Sequence, residues 1–377
     1  MASARGFVVF ASIATLAAAC SAGSGSTSND GNNDGGGTTS GDGGSTSSFN
    51  MGGSTASGIS GCTDPTCVGS TPQGNCDTGL ALEGTPQEAA KAIGICKDYT
   101  EGTWGVKSAE WVRSDGQPMT GALLDGRGIL DSFGSNVPRE GAAMLAISSG
   151  AGRAPDDAGW QDPGGYNKDP NPHGSPPGYP KESPSCPGVT TGSPYDSAGL
   201  RVVIQTPTDA KSLSFNFNFF TYEYPDYICD VYNDFFVAMM SPTPSGLQDG
   251  NISFDTQGNT ISVNAGFLDI CTPAFTGGKQ YSCSQGYGGI PGTGFESNTL
   301  NCGDSFFSAC SEPTSIPGSA ATGWLETKAP IDAPGGEITL HFAVWDSGDG
   351  VLDSTTLIDN FKFEADETVT GTAPVPE

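Results

Sequence analysis

Basic residues are scarce in this 377-residue chain: 15 Lys and Arg stand against 42 Asp and Glu, a formal net charge of −27. Phosphate backbones are held by clustered cations, so this deficit excludes nucleic acid as a partner. Histidine is almost missing, with His173 in a proline-rich stretch and His341 on the polar face of an alternating segment. There is no Gly-x-Ser-x-Gly elbow and no His-Glu-x-x-His helix. The Gly-Asp-Ser at 303–305 resembles the motif of one lipase class, but the early serine and the late Asp-x-x-His of that class are absent. The apolar run at Phe7–Ala19 is shorter than the roughly 20 residues needed to cross a bilayer. Helical periodicity is also rare.

What the chain does contain is 56 glycines, 27 prolines, and twice as much Asp (28) as Glu (14). Asp favours turns, loops and oxygen-rich cation sites, whereas Glu favours helices. The N-terminal "MASARGFVVFASIATLAAAC" has one early Arg5, the short apolar run and then Cys20. It reads as a secretory signal over residues 1–19. Its end, "LAAAC", resembles a bacterial lipobox, with Leu16 one position earlier than that pattern prefers; the resemblance implies lipidation of Cys20. The alternative is plain cleavage after Ala19. Ser21, not Asp, follows the cysteine, so nothing marks the protein for inner-membrane retention. Residues 20–61 are nearly all Gly, Ser, Thr, Asn and Asp, a composition that buries no core and predicts a disordered tether.

Eleven cysteines leave ten once Cys20 is set aside, an even number suited to disulfides in an oxidising compartment. Residues 62–98 hold Cys62, Cys67, Cys76 and Cys96. With no histidine nearby, this segment reads as a disulfide knot in preference to a zinc site. Inside it, Thr85, Pro86 and Glu88 have the spacing of a capping box and predict one short helix. Sequence proximity suggests pairing Cys229 with Cys271, and two bridges among Cys186, Cys283, Cys302 and Cys310.

From 99 to 366 the pattern is of short strands and turns. "SLSFNFNFF" sets Leu213, Phe215, Phe217 and Phe219 against Ser214, Asn216 and Asn218, a half-buried strand. "EITLHFAVW" alternates likewise, and "NISFDTQGNTISVN" predicts a hairpin over 251–264. Further strands are expected at 142–148, 200–206, 234–240, 322–328 and 355–364. The expected fold is all-β, an antiparallel β-sandwich of jelly-roll type, with 162–188 as a long exposed loop and 367–377 as a disordered tail.

Four blocks carry a family resemblance: "GILDSFGSNVPREGAAMLAISSGAGRAP" (128–155), "EYPDYICDVYNDFFVAMMSP" (223–242) followed by "GNISFDTQGNTISVN", "TGWLETKAPI", and "AVWDSGDGVLDSTTLIDNF". In this order they resemble the choice-of-anchor L domain of bacterial secreted proteins, over about residues 100–366. The style of the tether and helix resembles myxobacterial lipoproteins. The resemblance implies a surface-displayed β domain and no particular activity. No apolar sorting segment follows 366, so the expected anchor is Cys20, in the outer membrane or at the cell surface.

"WDSGDGVLDSTTLIDNF" (345–361) is the densest acidic stretch. Counted from Asp346, the EF-hand positions hold Gly348, Gly350, Val351 and Leu357, so it is not an EF-hand. Two readings stay open. Asp346, Asp349 and Asp353, with Asp359, hold calcium; or the aspartates cap their own turn. A carboxylate pair for glycoside hydrolysis would draw on Glu223 and Asp226 beside Tyr222, Tyr224 and Tyr227. The tyrosines, with Tyr232, could instead be platforms for a glycan or packed strand ends. The expected function is a tethered surface module for binding or adhesion, directed at a glycan or matrix protein and supported by calcium. A carboxylate-dependent polysaccharide hydrolase and a ligand-free structural envelope protein are the alternatives.

Overall fold

The computed structural model describes residues 66–67, 76–264, 266–276, 279–301 and 315–375. The expected signal peptide, Cys20, the tether, and Cys62, Cys302 and Cys310 lie outside the described residues. The capping box forms: Glu88 N–H donates to Thr85 Oγ1 at 3.2 Å and Thr85 N–H to Glu88 Oε2 at 2.7 Å, starting helix α1 at Pro86–Ala92. Its Ala89, Ala90 and Ala92 are buried, and the Cys76–Cys96 disulfide brackets it.

Ten longer strands follow: β1 Gly105–Trp111, β2 Arg127–Leu130, β3 Met144–Ser148, β4 Pro194–Gln205, β5 Ser212–Thr221, β6 Phe235–Ser241, β7 Leu325–Pro330, β8 Glu337–Ser347, β9 Ser354–Glu364 and β10 Gly371–Pro374. One antiparallel sheet has the order β1-β4-β8-β6 and the other β10-β7-β5-β9-β3-β2. Leu200, Val202, Phe342 and Val344 of the first share one core with Leu145, Phe215, Phe217 and Ile358 of the second. Phe215 meets Phe342 at 5.1 Å between ring centroids, and Phe217 meets Phe236 at 4.8 Å. The fold is an all-β sandwich. The alternation in β4, β5, β8 and β9 creates it, because period-2 side chains place one apolar set on one face.

Four expectations are corrected. First, β5 is buried on both faces, Asn216 and Asn218 included. Its outer face is covered by Phe133, Ile290 and Phe295, and Asn218 donates to Asn136 Oδ1 at 3.2 Å, which removes the penalty of a buried amide. Second, the proline-rich loop is not free on the surface. Tyr179 packs edge-on against Phe235 and Trp345 and seals the outer face of the other sheet, while His173 is buried between Ser197 Oγ (3.0 Å) and Asp169 (3.3 Å). Third, residues 371–374 of the expected disordered tail form the edge strand β10. Fourth, among the described residues Cys186 pairs with Cys229 and Cys271 with Cys283, so Cys229 does not pair with Cys271, and neither Cys186 nor Cys283 bridges within the expected set of Cys186, Cys283, Cys302 and Cys310. The 251–264 hairpin survives as a single bridge at Phe254–Thr260, while Ser262 and Asn251 bridge to Phe235 and Met239 of β6.

Candidate metal centre

Three strand ends meet at one end of the sandwich. Glu223 follows β5, Asp234 precedes β6, and Asp346 closes β8. The ladder between β8 and β4 shifts register between Val344 and Asp346. A bulge of this kind re-aims the next side chain. Glu223, Asp234 and Asp346 each bring a carboxylate oxygen within 4.8 Å of the others. Oxygens bound to one calcium at 2.3–2.6 Å stand at most about 5 Å apart, so this spacing suits a shared ion.

The surroundings hold the carboxylates without satisfying them. Asp234 Oδ1 accepts from Ser347 N–H (2.9 Å) and Oδ2 from Ser354 Oγ (2.7 Å). Asp346 Oδ1 accepts from Gly350 N–H (3.0 Å). Glu223 Oε2 and Asp346 Oδ2 are buried with no hydrogen-bond partner, as are the neighbouring Ser347 Oγ and Asn233 Nδ2. Burial drives the carboxyls of Glu223, Asp234 and Asp346 well above their usual range, and Asp234 pushes Glu223 and Asp346 further. Three buried carboxylates at this separation repel one another; a divalent cation removes the repulsion and fills the open valences.

The triad shares only Asp346 with the set expected to bind calcium. Asp349 is exposed, and its Oδ1 caps Val351 N–H at 3.0 Å. Asp353 is buried but faces a separate cleft lined by Arg153 and Trp160. Asp359 lies midway along β9, opposite Asn216 of β5, and accepts from Arg139 and Glu140 N–H at 2.5 and 3.1 Å. Burial raises Asp359 to about 7. Glu223, expected at a ligand surface or as a catalytic carboxylate, is instead 1% exposed. Asp226 is half-buried outside the triad. Tyr224 is buried, donating to Thr272 O at 2.7 Å, so it is no platform. Tyr222 is half-buried beside Ser297, and Tyr227 stacks edge-on with Tyr232 at 5.1 Å. Asp234 was not among the sequence candidates. Its only local signal is the Asn-Asp pair entering an apolar strand.

The triad's burial, 1% for Glu223 and 0% for Asp234 and Asp346, leaves no path for a polysaccharide to reach it. Its donor set is all oxygen, which suits a hard cation such as calcium. Among the described residues no helix is long and apolar enough to cross a membrane. No protein-family model, curated protein or solved structure matches the chain.

Proposed function

We propose that this chain is an exported, lipid-anchored surface module for binding or adhesion, whose loop end is fastened by a calcium ion held by Glu223, Asp234 and Asp346. The observation that carries the reading is the set of three buried carboxylates at three converging strand ends, two of which, Glu223 and Asp346, keep an oxygen without a partner. Without a cation these loops would be forced apart or the carboxyls protonated. With one, the ends of β5, β6 and β8 become a rigid platform.

Placement at the cell surface draws on "LAAAC", which offers Cys20 for lipidation, and on the Gly/Ser/Thr-rich stretch behind it. Disulfides such as Cys186–Cys229 suit an oxidising compartment. The four sequence blocks that resemble the choice-of-anchor L domain agree with surface display. A glycan or matrix protein is the partner class for such a module, by analogy at the level of fold. The test is titration of calcium and, separately, magnesium into the chelator-treated full chain, with melting and calorimetry as readouts. Saturable calcium binding near one equivalent is expected. No heat and an unchanged midpoint would overturn the cation reading.

A further inference from the structure

The turn that carries Asp346 into the triad ends at Asp353, and Asp353 opens on a different space. Its backbone is fixed: N–H donates to Pro163 O at 2.8 Å, and its carbonyl accepts from Tyr222 N–H at 3.0 Å. Its carboxylate, 1% exposed, has no hydrogen-bond partner on either oxygen. It lies in a cleft with Arg153, Trp160, Gln161, Phe295 and Thr355, with about 10 Å³ of free volume. That is room for one water-sized group.

Arg153 is the second unsatisfied group. Its Nη1 donates to Gly152 O at 3.0 Å and to Arg127 O, and Nη2 reaches Glu83 at 3.2 Å. Its Nε, equally buried, has no acceptor. Two residues that line the cleft therefore hold unmet polar atoms: one donor on the Arg153 cation and two acceptors on the Asp353 anion. An ammonium group only donates and is repelled by Arg153. A phosphate or carboxylate only accepts and is repelled by Asp353. A hydroxyl does both and is neutral. Lys168, whose charge also acts on Asp353, is already committed to Ser148 O at 2.8 Å.

The rim is aromatic. Trp160 is half-exposed, and its indole edge runs against Gly294, where a Cβ would stand 3.0 Å from Nε1. A few fixed polar groups beside an aromatic wall form the usual build of a small-molecule site. The cleft admits only the tip of a ligand, so the ligand's ring must lie outside, on Trp160.

We propose that this cleft is a saccharide subsite: a neutral sugar inserts one hydroxyl into the cleft that Asp353 and Arg153 line and lays its ring on Trp160. This deepens the binding-module reading by naming its ligand class, and it rests on that reading. The shared turn gives a link to the cation, since ordering Asp346 also orders the segment that delivers Asp353.

The test is an array of neutral oligosaccharides probed with the full chain, followed by titration of the best ligand into wild type, Trp160→Ala and Asp353→Asn. Binding of a neutral glycan, reduced at least tenfold in both variants, is the expected result. Trp160→Ala should keep the wild-type melting shift with calcium, which shows that the fold and triad are intact. Unchanged binding in Trp160→Ala, binding only of charged glycans, or a crystal soaked in saccharide that shows water alone in the cleft would each overturn the subsite. Saccharide binding that persists without any calcium effect would sink the cation reading and leave the subsite standing.

Discussion

Asp346 accepts a 3.0 Å hydrogen bond from Gly350 N–H through Oδ1, while its Oδ2 is buried without a partner beside Glu223 and Asp234. One carboxylate thus caps its own turn, keeps one oxygen bare, and brings an oxygen within 4.8 Å of those of Glu223 and Asp234. The two readings of the acidic stretch, turn cap and cation ligand, coexist in this residue. Asp349 does only the first.

That division predicts which substitutions abolish a calcium effect. For wild type, calcium at one hundred times Kd should stabilise by about 2.7 kcal/mol, a rise of roughly 4–5 °C in melting midpoint for a folded body of this size. Glu223→Gln and Asp234→Asn should remove most of the rise, and in chelator they should melt no lower than wild type, because each relieves repulsion. Asp349→Asn should keep it. Differential scanning calorimetry with EDTA and with calcium decides; loss in Asp349→Asn alone would reassign the site.

The pH dependence follows from the same carboxyls. Burial raises Glu223, Asp234, Asp346 and Asp353 above their unfolded values, and Asp359 to about 7. Groups raised on folding give stability that is full below about pH 4 and is lost as pH climbs through the folded value. His341, lowered to about 4 by burial and by Arg201, acts oppositely between there and its usual 6.5. Comparing samples with and without calcium cancels the His341 effect. The melting shift caused by calcium should therefore grow from pH 5 to pH 8, since the ion displaces protons at low pH. A shift independent of pH would contradict the triad as ligand.

The strands were legible because alternation is a local property: Leu213, Phe215, Phe217 and Phe219 announce a core face in nine residues. What covers the opposite face is not local. Asn216 and Asn218 are polar, yet the segments around Phe133 and Phe295 bury them. The triad was half-legible for the same reason. Asp346 stood out among glycines and aspartates and Glu223 among tyrosines, but nothing in their neighbourhoods brings Asp234 to them. Cysteine spacing was equally mute. The observed Cys186–Cys229 separation is 43 residues, and the rejected Cys229–Cys271 separation is 271 − 229 = 42.

Cys186–Cys229 ties the proline-rich loop to the loop that carries Glu223. Closing a segment of this length restricts the unfolded chain by about 4 kcal/mol in the chain-entropy description. Replacing both cysteines with serine should lower stability by about 2–4 kcal/mol and weaken calcium binding, because Glu223 loses its nearby covalent anchor. Urea unfolding and calcium titration of the double variant measure the two effects. Full retention of calcium affinity would show that the triad is held by the strands alone.

Gly350 supplies the sharpest local test. Its φ is +77°, and a Cβ there would lie 2.6 Å from Asn167 Nδ2 and 3.2 Å from Asp196 Oδ2. Gly350→Ala therefore adds a steric conflict to the left-handed strain of about 1–2 kcal/mol. Gly246 provides the control: its φ is +90°, and nothing lies within 4 Å of its would-be Cβ. Gly246→Ala should show the backbone strain alone and leave the calcium shift intact. Gly350→Ala should cost more, about 2–3 kcal/mol by urea unfolding, and should also weaken calcium binding, because the N–H that holds Asp346 Oδ1 moves with the displaced backbone. Equal losses in the two variants, with equal calcium shifts, would mean that the Gly350 cap does not position Asp346.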